Sequence, residues 1–164
     1  MNEFILNAIK SIKDDRDYIY ENITSNNISN TKICDYRNEL LDVRNQGSQG
    51  TCYAQCASCV KEWQEKKYLI SSYFSPQFIY NHRDYWNNNK KDGNDINEDY
   101  GMQGRDLMKI MKNIGVCDEK IYPYYRIDKS INIPNDIKNI AKKNIIKHYC
   151  KILSLDGLKK SLLN

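Results

Sequence analysis

Apolar residues recur at three- and four-residue steps along much of the chain, and the steps mark helices. Phe4, Ile5, Ala8, Ile9 and Ile12 predict a short amphipathic helix at the N-terminus. A connector over 22–32, rich in Asn, Ser and Thr, reads as a loop. A short extended stretch over 40–44 leads into a glycine-rich turn. Ala54, Ala57, Val60 and Trp63 then carry a helix from Cys52 to near Lys67, with Thr51 placed to cap it. Ser75-Pro76 opens a second helix, because proline suits a first helical position where its missing donor costs nothing. That helix carries Phe78, Ile79, His82 and Tyr85, and a polar loop follows over 86–99. Leu107, Ile110, Met111 and Ile114 share one face of a helix over 105–114, with Gly115 as its stop. Tyr122-Pro123-Tyr124-Tyr125 reads as extended, since the residue before proline avoids helix. A short helix follows Pro134. Alternation of Ile146, His148, Cys150 and Ile152 predicts a strand over 145–152, with His148 half-buried. Residues 154–163 form a last amphipathic helix.

Composition narrows the class. At 40% hydrophobic and 28% charged residues, the 164-residue chain is globular and long enough for one cored domain. Net charge is only +4, and the Lys pairs at 66–67, 90–91, 142–143 and 159–160 are scattered. They read as solvated faces, so no nucleic-acid partner is expected. No apolar run approaches a membrane span, and no membrane partner is expected. Glu3 heads an N-terminus without a continuous apolar core, which argues against a secretory signal. The six cysteines then read as reduced thiols in the cytoplasm or another reducing compartment.

The chemistry concentrates in Asn45-Gln46-Gly47-Ser48-Gln49-Gly50-Thr51-Cys52-Tyr53-Ala54. Cysteine reacts as thiolate, and a helix start favours the anion. A tetrahedral intermediate needs donors aimed at its oxygen, and the Cys52 amide and Gln46 side chain can supply two. Gly47 and Gly50 allow a tight turn and close approach of a substrate.

This segment resembles the active-site region of papain-like cysteine peptidases (the papain family in the strict sense), in particular their bacterial and large-virus branch. Further segments carry the likeness in order. They are Lys13-Asp14-Asp15-Arg16-Asp17-Tyr18, Cys34-Asp35-Tyr36-Arg37, and Ser75-Pro76-Gln77-Phe78-Ile79-Tyr80-Asn81. Asp99-Tyr100-Gly101 through Arg105-Asp106 to Gly115-Val116-Cys117 follows, then Tyr122-Pro123-Tyr124. The resemblance implies an α+β papain-like fold represented mainly by its helical left-hand half, the β-rich second half being missing or incomplete. It implies residues 1–33 as an N-terminal extension or short propeptide-like segment and 34–164 as the peptidase domain. It implies Cys52 as nucleophile, Gln46 as oxyanion donor, and Gly50 and Gly101 as substrate-binding glycines. No cofactor and no metal are implied. There are departures. Gln49 stands where the family has a cysteine, and that cysteine's disulfide partner near the cleft glycine is also absent. Tyr53 replaces a tryptophan, and Met102 a second cleft glycine.

A papain-like enzyme also needs a histidine base and an Asn or Asp to orient it. In the family the histidine follows the cysteine by roughly 130–150 residues. In this chain of 164 residues, 112 follow Cys52. His82 reads as a packed or surface residue and His148 as a core one. The expectation is therefore a thiol peptidase acting on peptide or protein substrates, catalytically incomplete as this chain alone, with a second chain as a source of the missing half. The alternative is a peptide- or partner-binding half-domain. A remoter one is an iron–sulfur site on Cys52, Cys56 and Cys59, whose spacing instead suits one stripe of a helix. Paired zinc knuckles do not recur. The acidic loop over 92–99 has Ile96 where a calcium ligand belongs.

Overall fold

The computed structural model describes residues 8–24, 33–66, 72–83 and 99–163. They fall into two compact units. The first takes the described residues up to Ser11 together with Leu40–Lys147; the second takes those of Ile12–Glu39 and His148–Asn164.

The first unit is built around three helices: α2 (Cys52–Lys66), α3 (Pro76–Asn81) and α4 (Gly104–Asn113), which pack against one another. (The label α1 belongs to Tyr20–Ile23 of the second unit.) Small residues on α2 allow the close approach. Ala54 and Ala57 meet Ile79 and Tyr80 of α3 and Leu107, Ile110 and Met111 of α4 in one core cluster. The α3 start follows from its sequence: Ser75 Oγ accepts the Phe78 amide at 3.0 Å, and Pro76 takes the first turn. All six α3 residues are buried, so its polar side chains bond within the protein. A second cluster gathers Phe78, Cys117, Tyr122, Ile133, Ile137 and Ala141, the last two from α5 (Asn135–Ala141). Burial pushes the Cys117 thiol up to about 12, which makes it an inert core residue.

Gly115 ends α4 as expected. Its φ is +85°, its amide bonds the Ile110 carbonyl at 2.9 Å, and any Cβ there would strike the Ala141 carbonyl of α5. At the other end of α4 lies a two-stranded parallel sheet, β1 (Ala8–Ile9) with β2 (Met102–Gln103), in register Ala8 to Met102. This corrects the expected N-terminal helix at Ala8 and Ile9. The edge of β2 offers backbone partners, and ladder pairing outweighs a weak helical spacing. Phe4 and Ile5 lie outside the described residues, as do Tyr85 and the acidic loop up to residue 98.

An ion network around the buried Glu62 fixes the entry to the glycine loop. The Arg44 guanidinium donates to the Phe74 carbonyl (2.9 Å) and pairs with Glu119 (3.1 Å) and Glu62 of α2 (3.0 Å). Glu62, only 4% exposed, also accepts the Phe74 amide at 2.8 Å. Burial is the main force raising its pKa, and Arg44 opposes it.

The second unit holds α1 and α6 (Leu155–Leu163). Ser154 caps α6, its Oγ accepting the Gly157 amide at 2.9 Å and donating to Glu21 at 2.8 Å. Glu21 also accepts the amides of Leu153 and Ser154, and these bonds, led by the Ser154 hydroxyl, hold its carboxyl down at about 2. The expected strand over 145–152 is absent. Lys151 alone bridges to Ile19, and a lone segment cannot form a ladder. His148, expected half-buried, is exposed. No helix among the described residues is long and apolar enough to cross a membrane.

Candidate active site

Cys52 is the first residue of α2 and half-buried. Thr51 starts the helix through its carbonyl, which accepts the Gln55 amide at 2.9 Å. Its hydroxyl turns instead to the Tyr124 hydroxyl at 2.6 Å. The loop ahead of Cys52 is folded on itself. Asn45 Oδ1 accepts the Gly47 amide at 2.8 Å, and Gln46 Nε2 donates to the Gln49 carbonyl at 2.9 Å. Gly47 has φ +61°, a left-handed backbone that favours glycine, and it lies against the Tyr125 hydroxyl.

Two outside groups hold this loop. Tyr124 donates to the Gln46 carbonyl at 2.8 Å, so one phenol ties both ends of the loop, Gln46 and Thr51. The Asp99 carboxylate accepts the Gly50 amide at 2.5 Å and, on its other oxygen, the Tyr80 hydroxyl. Tyr80 Oη in turn accepts the Gly101 amide at 3.0 Å. Burial and the bond to Asp99 raise the Tyr80 phenol far above its ordinary value, so it stays a neutral donor. Gly101 is buried with φ +72°, a backbone that suits glycine. Gln46, Gly50 and Cys52 are therefore parts of one loop–helix junction, and Gly101 joins it through Tyr80 and Asp99.

The turn carrying Tyr124 is itself held by α3. Gln77 Oε1 accepts the Tyr125 amide at 3.0 Å. Asn81 Nδ2 donates to Tyr122 Oη at 2.6 Å and to the Arg126 carbonyl at 2.8 Å. Tyr125, at φ +66°, is left-handed, a departure from the extended backbone expected of this segment. Sequence reasoning placed Tyr80, Asp99 and Tyr124 inside matching segments but gave them no task. The signal was present for Asp99, an acid two residues before Gly101. Its partner amide, Gly50, lies two residues before Cys52.

His82 is not brought to this junction. His82 is 2% exposed, stacked on Phe78 with 4.5 Å between ring centroids, and bonds the Phe78 carbonyl through Nδ1 at 2.7 Å. Burial pushes it down to about 4, so it is neutral at pH 7. His148 lies exposed in the second unit. Cys56 and Cys59 follow Cys52 along α2, and no group of three or more His, Cys, Asp or Glu among the described residues could hold a metal ion.

No family model matches the chain, and no curated protein matches it. Among solved structures, it is similar to xylellain, a cysteine protease from Xylella fastidiosa. The TM-score is 0.67 at 20% identity, over 93% of this chain and 60% of that one. A mite-allergen structure from a comparison of Blo t 1 and Der p 1 aligns with TM-score 0.46 at 19% identity, over 88% and 37% of the two chains, too weakly to bear on the fold. The fold is therefore that of xylellain, papain-like and mostly helical, and the chain spans 60% of that neighbour's length.

Proposed function

We propose that this chain is the nucleophile-bearing part of a papain-like cysteine peptidase, of the papain family in the strict sense and its bacterial and large-virus branch. Cys52 attacks the scissile carbonyl, and the Cys52 amide and Gln46 side chain stabilise the oxyanion. Gly50 and Gly101 face the extended peptide backbone. The carrying observation is the loop before Cys52, whose two ends are tied by Tyr124 and whose Gly50 is linked to Gly101 through Asp99 and Tyr80. Such bracing supports a reacting geometry held ready before substrate arrives.

The proposal includes catalytic incompleteness of this chain alone. His82 spends Nδ1 on a carbonyl inside the core, which supports a packing role over that of a base. A histidine and its orienting Asn or Asp then come from a second chain. The test is labelling of the purified protein with a peptidyl chloromethyl ketone, followed by mass spectrometry and a peptide turnover assay. Labelling concentrated on Cys52, abolished in Cys52→Ser, with negligible turnover is the expected result. Labelling spread evenly over the six thiols would defeat the nucleophile assignment, and rapid Cys52-dependent turnover would defeat the incompleteness.

A second reading, a peptide-binding half-domain, draws support from β2. Its edge already accepts an extended segment, Ala8–Ile9, in parallel pairing. Retained peptide binding by a Cys52→Ala variant, with no labelling of the wild type, would favour it.

A further inference from the structure

A cleft of about 510 Å³ opens at the C-terminal end of α4 and against α5. Nothing in the peptidase proposal uses it. Its volume falls in the range of small-molecule sites. His82 forms part of its wall, with Lys138 and Lys142 of the α5 segment, Ser130, and the apolar Ile114 and Ile131.

Three observations give the cleft a chemistry. First, the tautomer of His82 is determined by its partner. The Phe78 carbonyl can only accept, so Nδ1 carries the proton and Nε2 keeps the lone pair. Burial keeps the ring neutral, so His82 offers a ligand an acceptor rather than a charge. Second, Lys138 and Lys142 stand four residues apart, one helical turn, where like charges repel. They take part in none of the ion pairs among the described residues. Third, no carboxylate stands among the described residues of the cleft wall, so none of them competes with an anion for the two lysines.

We propose that this cleft binds a phosphate monoester. The phosphate dianion sits between the Lys138 and Lys142 ammonium groups, and a hydroxyl on the ligand donates to His82 Nε2. Ile114 and Ile131 cover its carbon skeleton. Lysine is suited to this as a point charge for phosphate.

The test is a nuclear magnetic resonance titration of the isotope-labelled chain with glycerol 2-phosphate, inorganic phosphate and lactate. His82 needs no substitution, because its own imidazole signals report on the site. Glycerol 2-phosphate should produce saturable shifts in those signals and in the amides over 138–142. The double variant Lys138→Gln/Lys142→Gln, altered only at the two cleft cations, should bind it about tenfold more weakly or worse. Inorganic phosphate should perturb the lysine segment with a smaller effect on His82. The proposal is overturned if His82 shows no saturable shift, or if the double variant binds unchanged. Lactate binding as tightly as glycerol 2-phosphate would also overturn it, since a carboxylate site would then explain the cleft.

Discussion

Tyr124 links a surface-facing turn to the most chemically loaded loop of the chain. Its hydroxyl donates a hydrogen bond to the Gln46 carbonyl and meets Thr51. Tyr124→Phe keeps the ring and removes both bonds, which should cost about 1–2 kcal/mol. Faster amide exchange at Gly47 and Gly50, with a lowered melting temperature, is the expected signature. Unchanged exchange would mean the loop holds without the phenol. His82 gives a second residue-scale prediction. Its pKa in the folded protein, about 4, lies below the ordinary 6.5. As pH falls through that window the unfolded chain takes up the proton first, so stability present at neutral pH is lost by up to ~3 kcal/mol. Urea unfolding at pH 7 and at pH 4 should show a larger loss in the wild type than in His82→Asn. Other titrating groups, such as Glu62, act in both proteins and cancel in that comparison.

At the scale of elements, stability rests on how helix ends and the loop entry are anchored. Arg44 neutralises Glu62 in a site where Glu62 is almost fully buried. Arg44→Met should therefore cost about 3–5 kcal/mol, because an uncompensated buried carboxylate remains. The double variant Arg44→Met/Glu62→Leu should recover part of that loss, a non-additivity that equilibrium unfolding can measure. Gly115→Ala combines a strained left-handed φ with a collision at the Ala141 carbonyl. A loss of at least about 2 kcal/mol is expected, whereas an unchanged melting temperature would show that α5 can shift. Those elements were legible from their ends: Ser75-Pro76, Gly115 and the apolar faces are local signals, and local signals survive folding. The misread elements had partners elsewhere. Ala8 and Ile9 pair with residues ninety-odd positions away in sequence, and no local spacing encodes that. The 145–152 alternation was real, but among the described residues no neighbouring strand was there to use it.

For the whole molecule, the candidate site was half legible. The loop before Cys52 stood out because glycine, glutamine and cysteine at fixed spacing carry their chemistry in the residues themselves. The groups that hold the loop did not, because Tyr80, Asp99 and Tyr124 come from three separate stretches and act only once folding assembles them. The six free thiols also carry a prediction for the molecule. Its melting temperature should be the same with and without a strong reductant, as scanning calorimetry can check. A drop on reduction would reveal a disulfide that the fold as described does not contain.

The Asp99 contact with Gly50 bears on that same indifference. The join between these two segments holds no sulfur, so a reducing environment has nothing in it to break. Here oxygen and nitrogen make the join. A strong reductant can therefore keep the Cys52 thiol reduced without loosening the contact at Gly50.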